Sequence, residues 1–280
     1  MNDISACEGA PRDQGLDQGR ASGALLRARF AERTPWQRLA FRAGLADAAG
    51  RELARGIARY FPHQAETQAG LAVGAGVPAA WLGAELAAEL QRETAAQPLA
   101  VARSGGEVGR ALDGPWLLRR SRPEGLFASL ELTRPWLTHS LVGVNERGLA
   151  VAVVGGGEPA RGVPGALLGQ DCLERFEALE AALEWCEGRP GGGGAVVLIA
   201  DASGDAGAIE IGSGQRRVLR PEAGVVVAGG TESDASELSK RLTQDTARGG
   251  EALARALPGA AGVALGSERR LLAGGESFSL

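Results

Sequence analysis

Apolar residues recur near a 3.6-residue period from about residue 15 to residue 94, which predicts a helical first third of the chain. In GLDQGRASGALLRARFAER, Leu16, Leu25, Leu26 and Phe30 follow that spacing. From Trp36 to Tyr60 it returns at Leu39, Ala43, Ala46, Leu53 and Ile57, and it stops at Phe61-Pro62 because proline pushes its predecessor out of helical geometry. ETQAGLAVGAGV and, after Pro78, AAWLGAELAAELQRE add further helical patterns, so four helices are predicted before any strand. From Gln97 the pattern shortens to β-rich runs bounded by Gly and Pro: PLAVAR, PWLLRR, GLFASLEL, HSLVGVN and GLAVAVVG, with NERG suited to a tight hairpin between the last two. PGALLGQDCLERF and ALEAALEWCEG read as paired helices, the second stopped by Gly188 and Pro190, and Gly191 to Gly194 as a loop. Strands return as AVVLIADAS, GAIEIGS, QRRVLRPE and AGVVVAGG, with DASGDAG as a hairpin turn, and one more helical pattern precedes a short tail. Two groups of strands divided by a helix pair imply two sheets packed face to face with helices outside. In that arrangement PLAVAR and PWLLRR are expected to pair near the centre, with helices 165 to 187 on one face.

Composition changes the picture little. With 44% hydrophobic and 23% charged residues, the 280-residue chain has the balance of a soluble globular protein. A net charge of -4 supplies no basic field for nucleic acid or anionic lipid. Lys240 is the only lysine, and the abundance of Arg, Ala and Gly reads as codon bias. No apolar window of about eighteen residues and no signal-peptide pattern occurs, so a cytoplasmic protein is expected. Cys7, Cys172 and Cys186 are too scattered for a disulfide framework and have no metal-ligand spacing with His63 or His139, so neither metal nor cofactor is expected.

Five local signatures, in order, cover roughly residues 7 to 230: CEGAPRDQGLDQGRASGALLR, ETQAGLAVGAGVPAAWLGAEL, SLVGVNERGLAVAV, GVPGALLGQDCLERFEALEAALEW and AVVLIADASGDAGAIEIG. Together they resemble the acyl-coenzyme A:isopenicillin N acyltransferase family of N-terminal-nucleophile hydrolases. The resemblance implies an α+β, four-layer αββα sandwich, with residues 1–94 as an N-terminal helical segment packed on a core of residues 95–280. The last fifty residues match poorly, so part of the terminal sheet is expected to be missing.

In such enzymes a cysteine, freed as a new N-terminus by self-cleavage, opens a strand in a Gly-Cys-Thr/Ser-x-x-Ala-Val pattern, and its own α-amine acts as general base. Here Ala96 falls on the cysteine position. The family's next-strand signature is Arg-Asn-x-Asp; set on LLRRSRPEG, it places Arg120 on the arginine, Ser121 on the asparagine and Pro123 on the aspartate. An Asn-His pair that contributes to the oxyanion hole falls on Gly229 and Gly230. The resemblance therefore implies a protein that kept the scaffold and lost the chemistry, serving in binding or assembly, alone, as a homo-oligomer or beside an active homologue. Arg120 is the expected anchor for a small anionic or acyl/amide ligand. The alternative is an active amide hydrolase or acyltransferase using Thr94, which lies two residues before Ala96, or another, unrecognised nucleophile. Without a nucleophile to activate, His139 and His63 read as structural, as do Asn145 and Asp201 in their hairpins and Ser104 in its turn.

Overall fold

The computed structural model describes residues 4–45, 48–156, 163–190, 194–212, 214–244 and 249–280. Most of the glycine run, 191 to 193, lies outside the described residues. A strand, β1 (Ser5–Gly9), comes ahead of the helices, where the sequence pattern predicts none. It is followed by α1 (Pro11–Ala31), α2 (Pro35–Arg42), α3 (Ala48–Tyr60), α4 (Pro62–Ala75) and α5 (Ala79–Ala96). Proline occupies the first turn of α1, α2 and α4, where its missing N–H costs no hydrogen bond. Thr34 and Gln37 close a reciprocal capping box on α2.

The glycines of the first signature lie inside α1. Gly15 and Gly19 on α1 face Gly70 and Gly74 on α4 so closely that a Cβ at Gly70 would overlap the Arg12 carbonyl oxygen, and one at Gly15 the Thr67 carbonyl oxygen. Their spacing therefore lets two backbones touch.

The core follows as β2 (Ala100–Arg103), β3 (Glu107–Leu112), β4 (Leu117–Pro123), β5 (Ser129–Thr133), β6 (Val142–Asn145), β7 (Ala150–Gly155), α6 (Ala166–Arg175) and α7 (Leu179–Gly188). Next come β8 (Ala195–Ala200), β9 (Ala206–Ile211), β10 (Arg216–Leu219), β11 (Val225–Ala228), α8 (Glu232–Gln244), α9 (Gly250–Ala256), β12 (Ala260–Leu265), β13 (Arg270–Ala273) and β14 (Glu276–Ser279). The strands form an eight-stranded sheet, β1-β4-β5-β6-β7-β8-β9-β10, and a six-stranded sheet, β11-β2-β3-β12-β13-β14. Every named pairing is antiparallel except β1 with β4.

The sheets pack face to face: a Cβ at Gly262 on β12 would press on Leu132 and Val142 of the opposite sheet. On the outer face of the larger sheet, α1 reaches β4 and α6 packs on β6, β7 and β8; α8 and α9 cover the smaller one. This is a four-layer αββα sandwich, with a helical segment ahead of it.

Two expectations fail. PLAVAR and PWLLRR do not pair: β2 lies between β11 and β3, and β4 lies in the other sheet between β1 and β5. The last fifty residues are not a strand-poor tail: they supply β12, β13 and β14 to the smaller sheet. The first error traces to β3, whose sequence EVGRAL does not stand out as a strand. No single helix among the described residues is long and apolar enough to cross a membrane; α4 and α5 reach that composition only as a pair bent by 115°.

Candidate functional site

The last residue of α5 is Ala96, so the position expected to open a strand closes a helix instead. Gln97 caps that helix in the left-handed region at φ 43°, and β2 begins only at Ala100. The chain thus bends through Ala96, Gln97, Pro98 and Leu99, none of which carries a hydroxyl, thiol or amine side chain. Against this bend sit Gly229 and Gly230, with φ of 75° and 67°. The Gly230 N–H donates to the Gln97 carbonyl at 2.6 Å. A Cβ on Gly229 would overlap the Pro98 carbonyl oxygen, and one on Gly230 would press into Leu99. The corner has no room for a side chain at Gly229, where Pro98 backbone packs directly against it.

Ala96 and Pro98 line a groove of about 140 Å³ together with Arg29, Glu89, Arg92, Glu93, Asp113, Gly114, Pro115, Arg134 and Trp136. Arg134 is buried, pairs with Glu89 at 3.1 Å and with Asp113, and donates to the Pro115 carbonyl at 3.1 Å. Trp136 Nε1 donates to Glu89 at 3.2 Å. The Arg29 guanidinium lies 4.3 Å from the Trp136 ring centroid while its Nε donates to Glu85 at 2.9 Å. Burial raises the Asp113 carboxyl, but the hydrogen bond and charge of Arg134, with the charge of Arg110, outweigh it and hold that carboxyl below its ordinary range. Arg110, buried between the sheets, grips both Glu93 oxygens at 3.0 Å and donates to the Val153 carbonyl, tying α5, β3 and β7 together.

Arg120 is not among the groove-lining residues. It stands on β4, and its guanidinium donates to the Ser279 carbonyl at 3.1 Å. Ser121 is buried opposite Cys7 in the β1–β4 pairing and Pro123 lies opposite Gly9. The strand that follows β2 is β3, and it leads into Arg110-Ala111-Leu112-Asp113. β3, and not β4, is therefore the next strand after β2, and Arg110 and Asp113 stand three residues apart at its end.

The alternative nucleophile, Thr94, is inside α5, where its hydroxyl donates to the Leu90 carbonyl at 3.0 Å. All three cysteines are buried. Burial pushes the Cys7 thiol up, and the hydrogen bond with Cys186, 3.5 Å away, pushes Cys172 well up. Asn145 donates to the Leu173 and Phe176 carbonyls at 2.8 Å and accepts from the Arg147 and Leu149 amides. Asp201 accepts from the Leu179, Ser203 and Asp205 amides, so both residues serve their turns.

A second polar cluster lies beneath α1 and α6 on the larger sheet. Arg119 pairs with Glu131, which also accepts from Ser129 and Ser140, and Arg119 donates to Gln18 at 2.6 Å. Farther along α6, His63 Nε2 and Asp171 Oδ1 are 2.9 Å apart, and Glu174 brings a third possible metal-ligand atom within 4.8 Å of theirs. These three side chains are the set among the described residues that could hold a cation. His139, buried, is driven down to about 3 by burial and the charges of Arg119 and Arg110, which makes it a poor proton carrier at neutral pH.

Burial, aided by Asp171, pushes the Glu174 carboxyl up to about 7 against the opposing influence of His63 and Gln170. A carboxyl raised in the folded state is protonated there while the unfolded chain has released its proton. Its contribution to stability therefore falls as pH rises from the ordinary value of 4.5 to about 7. Chemical denaturation across that range should show wild type losing up to about 3 kcal/mol relative to Glu174→Gln; parallel curves for the two proteins would contradict the shift.

No family model matches the sequence, and neither does any curated protein. Among solved structures, the fold is similar to a cysteine-to-alanine mutant of conjugated bile acid hydrolase from Clostridium perfringens, at 9% identity and a TM-score of 0.42, over 66% of this chain and 84% of that one. Penicillin V acylase from Agrobacterium tumefaciens aligns at 19% identity and a TM-score of 0.33, over 56% of this chain and 51% of that one. An arginine-to-leucine variant of the Clostridium perfringens hydrolase aligns at 16% identity and a TM-score of 0.30, over 52% of this chain and 50% of that one.

Proposed function

We propose that this chain is a non-catalytic protein on an amide-hydrolase-like scaffold, and that it holds a small anionic or acyl ligand in the groove beside Ala96. The observation that carries this reading is the closed corner where Gly229 packs on the Pro98 carbonyl. Acyl transfer needs a nucleophile and an oxyanion donor converging on one reacting carbon. At this corner the bend offers no nucleophilic side chain, and a side chain at Gly229 would overlap backbone. Losing one oxyanion donor alone typically costs about a hundredfold to a thousandfold in rate. Thr94 does not substitute, because its hydroxyl is engaged with the preceding helical turn and its nitrogen belongs to a helical peptide bond.

The test is amine release from a panel of N-acyl amino acids and simple carboxamides, measured against buffer at high protein concentration. No release above buffer is expected. Saturable turnover that Thr94→Val abolishes would replace this reading with an active threonine enzyme.

A further inference from the structure

We infer that the groove beside Ala96 is a site for a small monocarboxylate, with the carboxylate on Arg29 and Arg92 and the apolar end against Ala96, Pro98 and Pro115. This rests on the reading of that groove as a ligand site and gives the ligand's chemistry. Charge is the first argument. Along the ion pairs in and behind the groove, five guanidiniums (Arg29, Arg33, Arg92, Arg110 and Arg134) face four carboxylates (Glu85, Glu89, Glu93 and Asp113). Arg29 and Arg33 share Glu85, so one positive charge remains over at this end of α1 and α5.

Geometry is the second. Arg29 uses Nε and Nη2 on Glu85 and rests on Trp136, which fixes its plane before a ligand arrives. Arg92 pairs with Glu89 through Nη2, and its guanidinium lies 6.0 Å from the same ring. A carboxylate meeting two such cations gains charge-assisted hydrogen bonds with little ordering cost. Size is the third: 140 Å³ is on the order of five water molecules, enough for a short acyl chain.

Butyrate is the probe, titrated by saturation-transfer NMR, with butyramide at matched ionic strength as the neutral isostere. Binding to wild type should be saturable, weakened about tenfold in Arg92→Ala, unchanged in Arg120→Ala and absent for butyramide. Arg92 is half exposed, so its removal leaves the fold intact. Equal affinity in Arg92→Ala, equal binding of butyramide, or no saturation transfer from folded wild type would overturn the proposal. Amide turnover together with Arg92-dependent butyrate binding would instead remove the non-catalytic reading and leave this site standing.

Discussion

Gly229→Asn should lower stability by about 2–4 kcal/mol and confer no amide cleavage, although asparagine is the residue type that the sequence resemblance implies there for an oxyanion donor. Asparagine tolerates positive φ, so the φ of 75° accounts for little of that loss. The larger part comes from its Cβ meeting the Pro98 carbonyl oxygen, which is backbone and held by the neighbouring Gly230–Gln97 hydrogen bond. Gly125→Asn is the control: its φ is 72° and nothing lies within 4 Å of a Cβ there. Denaturant unfolding of the two variants separates overlap from conformational strain. If Gly229→Asn is no less stable than Gly125→Asn, the corner has room for a side chain and the closure argument fails.

Arg119→Ala should cost about 3–5 kcal/mol, because it leaves the fully buried Glu131 carboxylate without its cation. Burial works to raise Glu131, yet Arg119, Ser129 and Ser140 together keep it below its ordinary range. In the variant Glu131 should take up a proton, so the loss should be smaller in acid than at neutral pH. Arg20→Ala, which breaks an exposed pair with Asp17, should cost less than about 1 kcal/mol. Replacing Arg119 and Glu131 together by apolar residues should cost less than the single change. A cost for Arg119→Ala as small as that for Arg20→Ala would show that the pair does not organise the contact of α1 and α6 with the larger sheet.

The layer order is legible in the sequence because apolar periodicity separates the helical first third from the β-rich remainder. Legibility ends where an element is short or its neighbours are distant in sequence. β1 escapes because SACEG has too little alternation to mark a strand, and its partner β4 lies more than a hundred residues away. β3 escapes because Arg110 interrupts its apolar run, and only the structure shows that cation buried against Glu93 and Val153. Without β3, β4 is read as the strand that follows PLAVAR, which sets Arg120 beside Ala96; the structure places Arg120 in the other sheet. Arg29, Glu89, Arg134 and Trp136 have no signal in the sequence, since a groove made by two helices and a β-loop appears in no local pattern. Gly229 and Gly230 lie beside the bend, and the structure changes how they read. Sequence reads them as lost side chains; the backbone contact with Pro98 reads them as closure.

The most direct measure of the central claim is the intact mass of the purified chain after prolonged incubation, read alongside denaturing electrophoresis. A side-chain nucleophile is needed to break the peptide ahead of a strand, and the bend from Ala96 to Leu99 has none. A single species of 28.7 kDa is expected at every time point. Two fragments of roughly one third and two thirds of the chain, with a new N-terminus between Thr94 and Leu99, would contradict the account.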